Sequence, residues 1–122
     1  MASGADVIRE AYDAFARGDI PGVLELVSDD VEWTVAEVLV QGGSWQGRDG
    51  AGQFFQGLGE KYEELSVDIH DLVDGGDRVV GVGVGRGKRR DGGPVEYGFA
   101  HVFTVSEGKV TRFREYADRA VD

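Results

Sequence analysis

An α+β fold, with three N-terminal helices packed on one face of a curved, mainly antiparallel sheet, is predicted by the order of its periodicities. Apolar residues recur at helical spacing in three segments before residue 62, and they alternate strand-fashion in the segments after it. Glycine-rich turns separate those later segments. Helices grouped first and antiparallel strands grouped afterwards point to helices covering one sheet face. The 122 residues fit a single domain, 1–122, around one core.

The first helix is placed at about residues 4 to 17, where Val7, Ile8, Ala11, Tyr12 and Phe15 share a face and Gly18 is a stop. Asp19 then caps a short second helix with Pro21 in its first turn and Val23, Leu24 and Val27 as its stripe. The segment 31–35, Val-Glu-Trp-Thr-Val, alternates as a strand. Residues 41–50 read as a glycine-rich loop. A third helix follows from about Asp49 to Lys61, with Ala51, Phe54, Phe55 and Leu58 inward.

Leu65, Val67 and Ile69 alternate with Ser66, Asp68 and His70 as the next strand. Asp-Gly-Gly-Asp turns the chain into Arg78–Gly87, where valine alternates with glycine. Those glycines, at 81, 83, 85 and 87, share one face and either widen a cavity or admit a closely packed element. Residues 95–105 and 109–118 form the closing hairpin.

Composition excludes several functions. A net charge of −10 lacks the basic footprint that nucleic acid requires and disfavours anionic membranes. The dense basic run Lys88-Arg89-Arg90 sits beside Asp-Gly-Gly-Pro and reads as a solvated hairpin tip. Without cysteine there is no disulfide, thiolate chemistry or usual zinc cluster. The N-terminal stretch lacks a signal pattern and no apolar run reaches membrane-span length, so a cytoplasmic location is expected. Gly-Val-Gly-Val-Gly-Arg-Gly has neither the following Lys-Ser/Thr nor the helix of a phosphate loop.

The run Phe99-Ala-His-Val-Phe103 places a titratable ring where core is the default. Reading Ser106-Glu107-Gly108 as a three-residue turn pairs Val105 with Lys109, and hence His101 with Phe113 and Phe99 with Glu115. Tyr97, Phe99, His101 and Phe103 then share an inner face with Phe113, Glu115 and Ala117, with His101 and Glu115 as diagonal neighbours. A one-residue slip would bury Arg112 and Arg114. The histidine–glutamate pair either satisfies itself as buried structure or forms a pocket in which Glu115 orients His101, leaving its other ring nitrogen for chemistry. Tyr12 adds a phenol donor, Trp33 a shelf or core, and His70 lies on the polar side.

The stretches 12–33, 45–55 and 99–118, with the connecting strands, resemble the nuclear transport factor 2-like superfamily and its SnoaL-like branch. The resemblance implies a cone-shaped fold with a deep pocket, no metal or organic cofactor, a small hydrophobic partner, and homodimers through the sheet. Its members include ketosteroid isomerases, scytalone dehydratase, limonene epoxide hydrolases, polyketide cyclases and non-catalytic binders. By that resemblance the isomerase base falls near Val35, which cannot accept a proton, and the oxyanion acid near His101. The oxyanion tyrosine falls within one residue of Tyr12, and the hydrolase carboxylate at Glu115, without its companion Arg-Asp pair. Asp118 ends a SnoaL-like motif yet sits on the outer face by parity.

These readings together predict an enzyme for a small apolar carbonyl compound, of cyclase, isomerase or dehydratase type. His101 transfers the proton, Glu115 orients it, Tyr12 stabilises an enolate, and Trp33, Val35, Phe54, Phe55, Tyr97, Phe99, Phe103 and Phe113 wall the pocket. A non-catalytic binder is the alternative. A dimerisation module is the third reading, and it requires Phe99, Phe103, Phe113 and Trp33 to fill the interior.

Overall fold

The computed structural model describes residues 3–118. Helix α1 (Gly4–Ala16) starts with a capping box, in which the Ser3 hydroxyl accepts from the Asp6 amide and the Asp6 carboxylate accepts from the Ser3 amide. It buries Ala5, Val7, Ile8 and Ala14, with Tyr12 and Phe15 packed at the edge of the core. Gly18, at φ +75°, turns the chain, and Asp19 caps α2 (Ile20–Glu25) through the Gly22 amide. Val27, expected in the stripe of that helix, instead begins strand β1 (Val27–Val35).

Residues 41–50 are not a plain loop. Gly43–Gln46 forms β2, which pairs antiparallel with β1 and sets Trp45 opposite Trp33, and Gly47–Lys61 forms α3. Glycine density masked the strand, since Gly43 and Gly47 carry positive φ and bracket only four pairing residues. Arg48 in the first turn of α3 donates to Leu24 O and Val27 O at 3.1 and 2.8 Å. One guanidinium thereby satisfies carbonyls at the end of α2 and the start of β1.

Strands β3 (Tyr62–Asp74), β4 (Arg78–Arg89), β5 (Pro94–Ser106) and β6 (Lys109–Ala117) complete a six-stranded sheet of order β2-β1-β6-β5-β4-β3. Among the described residues only the β1–β6 pair is parallel. The helices cover the face carrying Trp33, Phe99, Phe103 and Phe113, so the architecture is the α+β arrangement expected. Among the described residues no helix is long and apolar enough to cross a membrane.

The closing hairpin departs from its expected register in an instructive way. The turn has two residues, Glu107 (φ 53°) and Gly108 (φ 77°), so Ser106 rather than Val105 pairs with Lys109. A bulge then leaves Thr111 without a partner, and from Thr104↔Arg112 onward the register stands two residues from the expected one. Two is the period of the strand, so from Arg112 onward every side chain keeps its predicted face. The bulge also lets Val110 and Phe113, of opposite parity, both point inward at 2% and 5% exposure.

Phe113 stacks on Trp33 at 4.1 Å and meets Phe103 at 5.1 Å. Replacing Phe113 by alanine should therefore cost about 3–5 kcal/mol in urea unfolding. Arg114→Ala, on the opposite face, should cost less than about 1 kcal/mol.

Candidate functional site

His101 projects from the middle of β5 directly opposite Glu115 of β6, closer than the diagonal placement expected from the sequence. Its Nε2 lies 2.7 Å from Glu115 Oε2, and its Nδ1 lies 2.8 Å from the Tyr12 hydroxyl of α1. A carboxylate only accepts, so Nε2 carries the ring proton toward Glu115. In the neutral imidazole Nδ1 then accepts from the Tyr12 O–H. His101 and Glu115 are 6% and 7% exposed, a degree of burial that an unpartnered carboxylate would not tolerate. Phe99 lies face to face with the imidazole at 3.9 Å, and the edges of Phe103 and Phe113 close its flanks.

The expectation that one ring nitrogen of His101 stays open is corrected here: both are bonded. The group at the free end of the chain is the phenol of Tyr12. Burial, reinforced by the negative charge of Glu115, pushes the Tyr12 pKa far above that of an ordinary tyrosine. Tyr12 is therefore a protonated donor at neutral pH and not a base.

A cavity of about 80 Å³ opens beside this chain, lined by Tyr12, His101, Glu115, Gln41 and Tyr97 among aromatic and aliphatic side chains. Of the predicted wall residues, Trp33, Phe54, Phe55, Tyr97, Phe103 and Phe113 line it. Val35 and Phe99 do not. Val35 is sealed on the rung beside Glu115, and Phe99 supports His101 from behind. The expected aromatic residues leave the cavity open, which argues against an interior filled solid. Half-buried Phe15 and Phe55, 6.1 Å apart, face each other across α1 and α3.

The glycines of β4 serve both purposes left open by the sequence. A Cβ at Gly81 would collide with the Tyr12 hydroxyl, and one at Gly85 would collide with the Tyr97 ring. These two positions give the phenols room to lie over the strand. At Gly83 and Gly87 a Cβ would strike the Asp68 and Glu64 carbonyls of β3, so there the strands themselves approach closely.

Sequence reasoning missed Gln41 and Tyr62. Gln41 is 3% exposed; its Oε1 accepts from Tyr62 at 2.6 Å and its Nε2 donates to Tyr97 at 3.5 Å. No pattern in the sequence marks them, since Val38, Leu39 and Val40 are all apolar, yet Leu39 and Gln41 are buried while Val38 and Val40 are exposed. The expectations for His70 and Asp118 hold, whereas Arg89, expected on a solvated hairpin tip, is half-buried, and Arg90 donates to Gly59 O at 2.9 Å. His70 is exposed beside Asp68 at 3.4 Å, and Asp118 lies over Gly98 on the outer sheet face. Lys88 pairs with Glu63 at 3.3 Å near the hairpin tip.

A family model, the SnoaL-like domain, matches residues 8–113. No curated protein matches the chain. Among solved structures, an NTF2-like protein of unknown function from Burkholderia pseudomallei is 28% identical over 98% of this chain and 93% of its own, with a TM-score of 0.89. TerC, crystallised with polyporic acid, is 28% identical over 92% of this chain and 88% of its own, with a TM-score of 0.83. A Mycobacterium tuberculosis protein in complex with estradiol-17β-hemisuccinate shares the fold at 19% identity, covering 99% of this chain and 100% of its own, with a TM-score of 0.82.

Alkaline pH tests the buried phenols. The pKa values of Tyr12 and Tyr97 are both raised, chiefly by burial, so above pH 10.0 the unfolded chain releases protons that the native state retains. Their contribution to stability is complete below that pH and is lost as pH rises toward the folded values. Urea midpoints should fall from pH 10 upward, and less steeply in Tyr12→Phe.

Proposed function

The chain belongs to the SnoaL-like domain family, and from that premise and the geometry of its pocket we propose that it binds a small, largely apolar carbonyl compound and catalyses proton transfer on it, in the manner of a cyclase, isomerase or dehydratase. The observation that carries this reading is the chain Glu115–His101–Tyr12, which ends at a phenol in the wall of an aromatic cavity. A polar relay inside an apolar pocket is the usual composition of a small-molecule site.

In the proposed cycle a bound carbonyl oxygen takes the Tyr12 O–H as donor, and the phenol turns its proton away from Nδ1. The Nδ1 lone pair so uncovered removes the proton α to the carbonyl. The electron pair of the broken C–H bond moves onto the carbonyl oxygen, where the Tyr12 donor stabilises the enolate. Glu115 holds the imidazolium through Nε2. Return of the proton to another carbon gives isomerisation, and return with loss of hydroxide as water gives dehydration. Metal chemistry plays no part in this reading, which uses only the groups named.

The relay is also closed upon itself, with each member satisfied, and that favours the second reading of a non-catalytic binder. Deuterium exchange of the acetophenone methyl protons, followed by NMR, separates the two. Proton transfer should show as exchange above the buffer rate, reduced about 10²-fold in Glu115→Gln and in Tyr12→Phe. Binding without exchange would establish the binder instead.

The chain is also proposed to act as a homodimer through the outer sheet face. Val82 and Tyr116 are exposed there at 39% and 52%, with Arg114 lying 5.1 Å over the Tyr116 ring and Arg112 paired to Glu32. Sedimentation should give a dimer at micromolar concentration, and a monomer would rule the assembly out.

A further inference from the structure

We infer that the Gln41–Tyr97 end of the cavity is a second recognition subsite for a neutral oxygen acceptor, so that the ligand carries a carbonyl at each end. The inference rests on the proposed function, since it takes the first carbonyl to sit at Tyr12.

Tyr97 and His101 are four residues apart on one face of β5, with Phe99 between them. Four strand residues separate their backbones by roughly 13 Å. Their side chains nonetheless reach the same cavity. The cavity therefore receives polar groups from two points along β5, His101 with Tyr12 at one and Tyr97 with Gln41 at the other.

The far end has surplus donors. Tyr62 gives its hydroxyl proton to Gln41 Oε1, which fixes the amide with Nε2 turned toward Tyr97. The Gln41–Tyr97 contact, at 3.5 Å, is at the limit of a hydrogen bond and uses one of two amide protons. The Tyr97 hydroxyl proton has no acceptor among the described residues. Elsewhere in the cavity wall Trp33, packed on Phe54, Phe55 and Phe113, also has a buried Nε1 without a partner. Buried donors in such numbers call for an acceptor, because leaving each unpaired costs most of its desolvation free energy.

The charge of that acceptor also follows. Among the described residues no lysine or arginine lines the cavity, and Glu115 is its carboxylate. Amide and phenol donors satisfy a carbonyl oxygen, whereas a carboxylate or phosphate at Tyr97 would lie in the field of Glu115, which already raises the Tyr97 pKa, with no cation lining the cavity to offset it. The ligand class is thus a compact, flat, neutral compound with two carbonyl oxygens at opposite ends.

Calorimetric binding of three probes to the full chain tests this. 1,4-Diacetylbenzene has both carbonyls, acetophenone has one, and 4-acetylbenzoate replaces the second with an anion. The first should bind about five- to tenfold more tightly than acetophenone, the worth of one neutral hydrogen bond, and 4-acetylbenzoate more weakly than either. Gln41→Leu and, separately, Tyr97→Phe should abolish the preference for the diketone over acetophenone. Thermal melts verify that each variant folds, and either one suffices for the comparison. A preference that survives both substitutions overturns the subsite, as does equal binding of the diketone and acetophenone by the unaltered protein. Failure of all three probes to bind overturns it too. Acetophenone affinity that is indifferent to Tyr12→Phe would instead count against the proposed function, whatever the diketone does.

Discussion

A carboxylate at 7% exposure beneath a layer of helices constrains everything around it. Glu115 needs a donor, and the imidazole directly across the β5–β6 rung supplies one. That commits one ring nitrogen and leaves the other to be satisfied, which Tyr12 does from α1. The phenol in turn needs space over the sheet, and Gly81, the partner of His101 on β4, provides it by having no side chain. One buried charge thus fixes the register of a hairpin, the depth of a helix and the identity of a strand residue. Removing any one partner of such a charge is far more damaging than never having had it.

Much of this was legible because strand parity survives errors of two. The turn read from the sequence had three residues and the real one has two, and the bulge at Thr111 adds its own shift. The errors combine to an even number, so His101 and Glu115 stay on one face and their proximity is only underestimated. The bulge itself left a trace: Val110 and Phe113 are both apolar, and no unbroken strand can bury both. Phe99 and Val35 show the limit of this kind of reading, because sharing a face with a cavity differs from touching it. Gln41 escaped for another reason. It lies in a turn-rich segment with backbone bonds Leu39 N to Ala36 O and Gly42 N to Leu39 O, where no periodicity identifies which side chain points inward.

The alternating valine–glycine strand shows the same separation of face from contact. On the outer side Val80, Val82 and Val84 build an apolar sheet surface. On the inner side its glycines carry no side chain into the interior, yet they decide where two tyrosines lie. An inward-facing position can thus shape a pocket by what it omits. Composition reports only that glycine is abundant.

The single parallel pairing, β1 with β6, has a consequence for the order in which the chain acquires its shape. Glu32 and Arg112, joined across that seam, are 80 residues apart in sequence, and the Val110 amide reaches back to Leu26 O. During synthesis the inner face of β1, with Trp33 at its centre, emerges long before the strand that will flank it. The antiparallel strands close locally and early, whereas the seam must wait for the last hairpin and meet the full entropic cost of a long loop. Until then the nascent protein carries an open strand edge next to an indole that lacks its stacking partner Phe113, the kind of surface that chaperones retain and that neighbouring chains on a polysome can pair with.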